Sequence, residues 1–325
     1  MAEVTAEGFR FDRQYILIKA LQAHDTSAHI AEHITIKTNF RLSLFQPSID
    51  QDWSTLMIRH TLAQPESSIT IPLTPSPLSC LESQSYQVNI FGTTATGVDM
   101  GNDVAEFFSN HLGMAVRLLF IGGNGRREIP GTAFSSSRHT FSMHEARADF
   151  PHQRIRFADM APFLVTSSAS EENTKLRLPE SQRNEDVLLR FRPNIHLDVG
   201  ETAPFDEDNW RELVISNGDG GARQKAIIRC FFRTHRCLSL NVDIETGTMA
   251  PRNRQVYGLL AADRRVNKTF PRTYHFALYN SKPYHLFTVH LSADKPVFGQ
   301  YAFAAPTGAI LCVGDEVRLT HRTTD

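Results

Sequence analysis

Residues 233–237 read Arg-Thr-His-Arg-Cys. A thiol at Cys237, beside Arg233, Arg236 and the imidazole of His235, sits where positive charge favours the thiolate, the form that acts as a nucleophile or a soft-metal ligand. The same pattern also suits a small apolar side chain at a strand end, since free cysteine is commonly buried and inert. Cys230 and His235 could add ligands, but at a spacing atypical of zinc sites. A second cluster is Arg190-Phe-Arg-Pro-Asn-Ile195, where Pro193 fixes the backbone while Arg192 and Asn194 offer charged and amide donors. That arrangement suits a phosphate or a polar heterocycle, and the competing reading is a surface loop with a solvated arginine. Asp12 and Arg13, in Phe11-Asp-Arg-Gln-Tyr15, stand at a strand start, where such a pair is ordinarily an exposed ion pair worth little. Gly122-Gly-Asn-Gly-Arg-Arg127 fits neither phosphate-loop nor dinucleotide spacing and reads as a flexible turn.

These residues must be carried by a sizeable scaffold. The 325 residues suffice for one large or two medium domains. A hydrophobic fraction of 41% with 21% charged residues excludes wholesale disorder, collagen and coiled-coil arrays. A net charge of −1 supplies no global field toward nucleic acid or an anionic membrane. Only seven of the 34 basic residues are lysine, so the cationic groups are mostly planar guanidiniums suited to anions. Four cysteines in so long a chain give no disulfide framework, which favours a reducing compartment. The acidic start has no leader pattern, and no apolar run approaches the roughly 18 residues a spanning helix requires. The expectation is a soluble, cytoplasmic protein with no membrane span.

Short alternating runs predict half-buried antiparallel strands at Tyr15-Ile-Leu-Ile18, His33-Ile-Thr-Ile-Lys37, Leu56-Met-Ile-Arg59, Ser68-Ile-Thr-Ile-Pro72 and Tyr86-Gln-Val-Asn-Ile90. One helix interrupts them, with Asn102-Asp103 as cap and Gly113 as left-handed stop, and residues 115–121 read as a buried strand. Between about 122 and 150 the apolar period disappears, as in a long loop or connection, which places the domain boundary there. Pro162-Phe-Leu-Val165 opens the second part, followed by a helix capped by Ser168 or Ser170. Asp206-Glu-Asp-Asn-Trp210 marks a short helix start with Trp210 as core anchor. Residues 225–232, 238–242, 298–303 and 308–319 supply further strands. Tyr274-His-Phe-Ala-Leu-Tyr279 and Tyr284-His-Leu-Phe-Thr-Val-His-Leu291 read as an aromatic β-hairpin that extends the sheet or covers a site.

In this order the pieces resemble the molybdenum cofactor sulfurase C-terminal (MOSC) family, in the branch of the mitochondrial amidoxime-reducing component and its bacterial relatives. The resemblance is carried by Gly8 with Asp12-Arg13, Pro162-Phe-Leu-Val-Thr-Ser167, Phe191-Arg-Pro-Asn-Ile195 and Ala203 to Trp210. It continues through Arg236-Cys237, Asn241-Val-Asp-Ile-Glu-Thr-Gly247, Phe298-Gly-Gln-Tyr301 and Val313-Gly-Asp-Glu-Val317. It implies an α+β, mainly β fold. It implies an N-terminal β-rich MOSC N-terminal-type domain over 1–122 without the family's first, Lys-Ser strand and a 123–150 connection, followed by a MOSC β-barrel domain over 151–325, with the two domains packed around a molybdopterin cofactor. It implies that Cys237 ligates molybdenum, that Arg13, Arg192 and Asn194 hold the pterin and its phosphate, and that Ser167, His235 and Arg236 line the site. Met160 and Ala161 replace the family's polar residues before Pro162, and the 267–295 stretch is longer than the family pattern. The implied activity is reduction of N-hydroxylated or other N-oxygenated compounds, with electrons from an external b-type cytochrome and flavin reductase. The alternative is a non-catalytic MOSC protein that binds the cofactor or carries sulfur on Cys237 as a pathway accessory.

Overall fold

The computed structural model describes residues 1–20, 30–76, 83–123, 125–130, 152–216, 224–266, 274–277, 286–289, 295–305 and 308–322. The chain forms two compact units that exchange short segments: Met1–Asp12, Glu128–Leu240 and Arg252–Asp325 make one, Arg13–Arg127 and Asn241–Pro251 the other.

The first unit is built on a six-stranded sheet in the order Ile195–Leu197, Phe163–Ser167, Val297–Ala304, Lys225–His235, Trp210–Ser216, Glu316–Arg322. Only the Phe163–Ser167 and Ile195–Leu197 pair is parallel. Every residue of Phe163–Ser167 is buried, the signature of a strand covered on both faces. One apolar cluster holds Val4, Phe163, Val165, Leu213, Ile228 and Cys230, a second Ile129, Ile155, Phe231 and Phe303, and a third Phe191, Leu240, Val256 and Phe298. Lys225–His235 serves more than one of these because its register against Val297–Ala304 shifts between Cys230 and Phe232 and again between Arg233 and His235. Gly299 makes the close sheet approach that a side chain would block: its φ is +74°, and a Cβ would lie 2.7 Å from the Val165 carbonyl oxygen.

In the second unit a five-stranded sheet runs Tyr15–Lys19, Val116–Phe120, Thr93–Asp99, Ser85–Ile90, Ile30–Ala31, and a three-stranded one Phe45–Ile49, Thr55–His60, Ser67–Pro72. The helix Asn102–Leu112 buries Val104, Ala105, Phe108 and Leu112 and stops at left-handed Gly113.

The mainly β class read from the sequence is the one observed, with corrections inside it. The run His33-Ile-Thr-Ile-Lys37 makes a single bridge, His33 to Ile18, and then turns. There the Thr38 hydroxyl donates to the Thr35 carbonyl at 2.9 Å, and this local bond replaces the ladder. The long helix is capped by Gly101, φ +96°, rather than by Asn102 or Asp103. Ser167, not Ser168 or Ser170, caps Ser168–Leu176 by accepting from Ser170 N. In the segment before Arg127, the Gly125 carbonyl accepts from Thr96 N at 2.9 Å, and residue 124 lies outside the described residues. Arg127–Pro130, within the stretch read as loop, pairs as a two-stranded sheet with His152–Ile155 just beyond it, and residues 131–151 lie outside the described residues. The two arms of the aromatic hairpin pair antiparallel over Tyr274–Ala277 and Leu286–Val289, its loop also lying outside the described residues.

Candidate functional site

Cys237 stands just past the end of Lys225–His235, where the chain leaves the sheet. The expected strand over 238–242 is instead the 3-10 turn Leu238–Asn241, followed by Val242–Asp243. Leu240 N donates to the Cys237 carbonyl at 3.2 Å, which closes the turn. The physical reason is anchoring: Leu240 is fully buried with Phe191 and Phe298, while Leu238 turns outward. Cys237 is left half-buried, its sulfur 3.1 Å from the Ser239 hydroxyl oxygen.

A short helix, Leu188–Phe191, grips this turn from both sides. Arg236 sends Nη2 to the Phe191 carbonyl at 2.9 Å, and its guanidinium lies 5.4 Å from the Phe191 ring centroid. Arg190 sends Nη1 to the carbonyls of Leu240 at 3.4 Å and Arg254 at 2.9 Å, and pairs with Glu185. The helix ends at Arg192, which adopts φ 56° and ψ 51°, a conformation side chains seldom take, and is exposed. Thus the two sequence clusters, 45 residues apart, are tied together by the Arg236 bond.

The electrostatics separate the thiols. Burial pushes Cys230 up to about 12, which keeps it a neutral core group. Arg236 is held below the usual guanidinium value mainly by burial. The neighbouring Arg192 acts in the same direction, while Tyr301, Cys237 and Asp159 oppose it. Its Nε is buried with no hydrogen-bond partner among the described residues. Burial, with a smaller push from Lys295, lowers His235 to about 4, so its imidazole is neutral at neutral pH.

The remaining expected site residues are placed differently. The Asn194 side chain bridges two segments of its own unit: Leu164 N donates to Oδ1 at 3.0 Å, and Nδ2 donates to Asp12 at 2.8 Å. Ser167 is 1% exposed and donates to Glu207 at 2.8 Å, as Ser170 does at 2.7 Å. Arg13, exposed at φ 55°, begins the second unit. Arg190, Ser239 and the buried Glu207 were not singled out from the sequence. Nothing local marks them, because Arg190 and Glu207 take their roles largely from partners 37 to 64 positions away and Ser239 from the unforeseen turn.

Residues 152–318 match the MOSC domain, and residues 1–115 match the MOSC N-terminal beta barrel domain. The chain belongs to the MOSC family. Both Arg192 and Cys237 fall within the MOSC match. Among curated relatives, mitochondrial amidoxime-reducing component 1 of Mus musculus is 26% identical over 98% of this chain and 76% of its own length, and that of Homo sapiens 24% over 98% and 77%. A molybdenum cofactor sulfurase of Drosophila willistoni is 27% identical over 76% of this chain but only 25% of its own length. No helix among the described residues is long and apolar enough to cross a membrane.

The residues of the 188–192 and 236–240 segments fit a molybdenum cofactor. The donor set is one half-buried sulfur, the buried Arg236 guanidinium with its orphaned N–H, and the exposed Arg192 on the segment that Arg236 binds. No three His, Cys, Asp or Glu side chains gather to hold an ion among the described residues. A metal held by the single sulfur must therefore bring its other ligands, and an anionic cofactor that does so is suited to Arg192.

Proposed function

We propose that this MOSC protein is a molybdenum-cofactor-dependent oxidoreductase acting on N-hydroxylated or other N-oxygenated small molecules, with Cys237 as the protein ligand of molybdenum. The observation carrying the reading is the Arg236 to Phe191 bond, which joins a half-buried thiol to an exposed arginine loop in one cluster. When bound, the cofactor supplies the two-electron removal of oxygen, with electrons drawn from an external b-type cytochrome and flavin reductase.

The chain's own residues hold and orient. Cys237 offers a soft thiolate. Arg192, on a backbone fixed by Pro193, offers a planar fork for an anionic group. Arg236 keeps positive charge beside the sulfur and pins both segments. His235, neutral at neutral pH, adds no second cation there. Asn194 acts by fastening the loop to Leu164 and Asp12, and Ser167 by capping its helix. The named relatives support the reductase reading, two being amidoxime-reducing components.

The sulfurase relative favours a second reading, in which Cys237 carries sulfur or the chain binds cofactor without turnover. The separating experiment loads the protein in a cofactor-competent host and follows amidoxime reduction with the donor pair supplied. Turnover by wild type supports the first reading. Stoichiometric molybdenum without turnover supports the second. Arg192→Ala is expected to lose more cofactor on gel filtration than Arg192→Lys, because a point charge retains attraction but not bidentate geometry. Equal occupancy in wild type and both variants would remove Arg192 from the site.

A further inference from the structure

We infer that Ser239 is a positioning residue for Cys237, its hydroxyl donating to the sulfur when Cys237 acts as a metal-bound thiolate. The inference rests on the proposed ligand role and adds a residue to it. Ser239 is 7% exposed, and its hydroxyl oxygen lies 3.1 Å from the sulfur. No other hydrogen-bond partner of that hydroxyl is present among the described residues. A buried hydroxyl without a partner is costly, so this contact is the one that satisfies it. A thiolate accepts and cannot donate, which fixes the direction as O–H to S.

The contact is held in place by its surroundings. The turn closes through Leu240 N to the Cys237 carbonyl, Leu240 is fully buried, and Arg190 donates to the Leu240 carbonyl. Ser239 is therefore carried on a backbone anchored on both sides, and its oxygen reaches the sulfur without a flexible stem. Such outer hydrogen bonds orient a metal ligand and moderate its electron donation.

The test uses the full chain made in a cofactor-competent host as wild type, Ser239→Ala and Ser239→Thr, with Cys237→Ala as the metal-free reference, each checked for folding by thermal melting. Two quantities are read: the rate of molybdenum loss after dilution and the molybdenum midpoint potential. Ser239→Ala should lose molybdenum about ten-fold faster, by the usual effect of removing an outer-shell partner. Its potential should shift negative, because an unbonded sulfur donates more charge to the metal. Ser239→Thr, which keeps the hydroxyl, should restore both. Wild-type retention and potential in Ser239→Ala, alongside metal loss in Cys237→Ala, would overturn the Ser239 role and leave the ligand assignment standing. Failure of threonine to rescue would overturn it as well, since the effect would then be one of packing. Full metal in Cys237→Ala would overturn both.

Discussion

Arg190→Met removes the cation that braces the far side of the Cys237 turn. The Arg190 side chain is 0% exposed, pairs with Glu185 and donates to the carbonyls of Arg254 and Leu240. Deleting one partner of a buried ion pair typically costs about 3–5 kcal/mol. Glu185 is 18% exposed and keeps Arg254 at 3.0 Å, so its charge is not left alone and the lower end applies. Methionine fills the aliphatic volume, which leaves the lost donors as the main deficit. The expected loss is thus about 3 kcal/mol. Arg190→Lys should lose roughly half of that, since an ammonium keeps the charge but cannot span three acceptors. Urea unfolding should show a lower midpoint at unchanged slope, and molybdenum occupancy should fall because the turn is released at Leu240. A loss below about 1 kcal/mol with wild-type occupancy would refute the bracing argument.

Gly299→Ala should destabilise by about 3 kcal/mol, combining a left-handed backbone with overpacking against Val165 and Thr166; denaturant midpoints check it, and a neutral result would mean the strands separate cheaply. His60, 9% exposed, stacks on His111 at 4.3 Å with neither ring nitrogen bonded among the described residues. Burial first, then the charges of His111 and Arg41, holds its pKa below the ordinary 6.5. Its neutral-state contribution is fully present above 6.5 and is lost as pH falls below that value toward the lower folded pKa. Melting temperature against pH should therefore drop less steeply on the acid side in His60→Leu than in wild type, and parallel curves would contradict the assignment.

Much of the architecture was legible because alternation survives wherever a strand has one wet face. Thr55–His60 and Ser67–Pro72 contain the runs predicted for them almost unchanged. Failures occurred where a local bond or a distant anchor outweighed the pattern. Thr38 bonded back to Thr35 and ended a strand that periodicity supported. Leu238 and Leu240 alternate as strand residues do, yet the buried anchoring of Leu240 folds them into a turn. Thr93–Asp99 and Phe45–Ile49 went unrecognised, the first being Thr-rich and broken by Gly97 and the second interrupted by Pro47. For the site, residue chemistry marked Cys237 and Arg192 individually, and the family resemblance put them together. The bond that joins them comes from Arg236, whose partner is a backbone carbonyl and leaves no trace in sequence. Ser239 and Arg190 were invisible for the same reason, since their significance lies in the fold of a turn and in carbonyls far along the chain.

The central claim is that Cys237 is the protein ligand of molybdenum, and the direct measurement is molybdenum per chain in protein made in a cofactor-competent host. Wild type and Cys230→Ala should carry the metal in comparable amounts, because Cys230 is a buried neutral thiol held at about 12. Cys237→Ala should carry essentially none while melting cooperatively, since the sheet and its clusters do not depend on that sulfur. Equal molybdenum in wild type and Cys237→Ala would contradict the account.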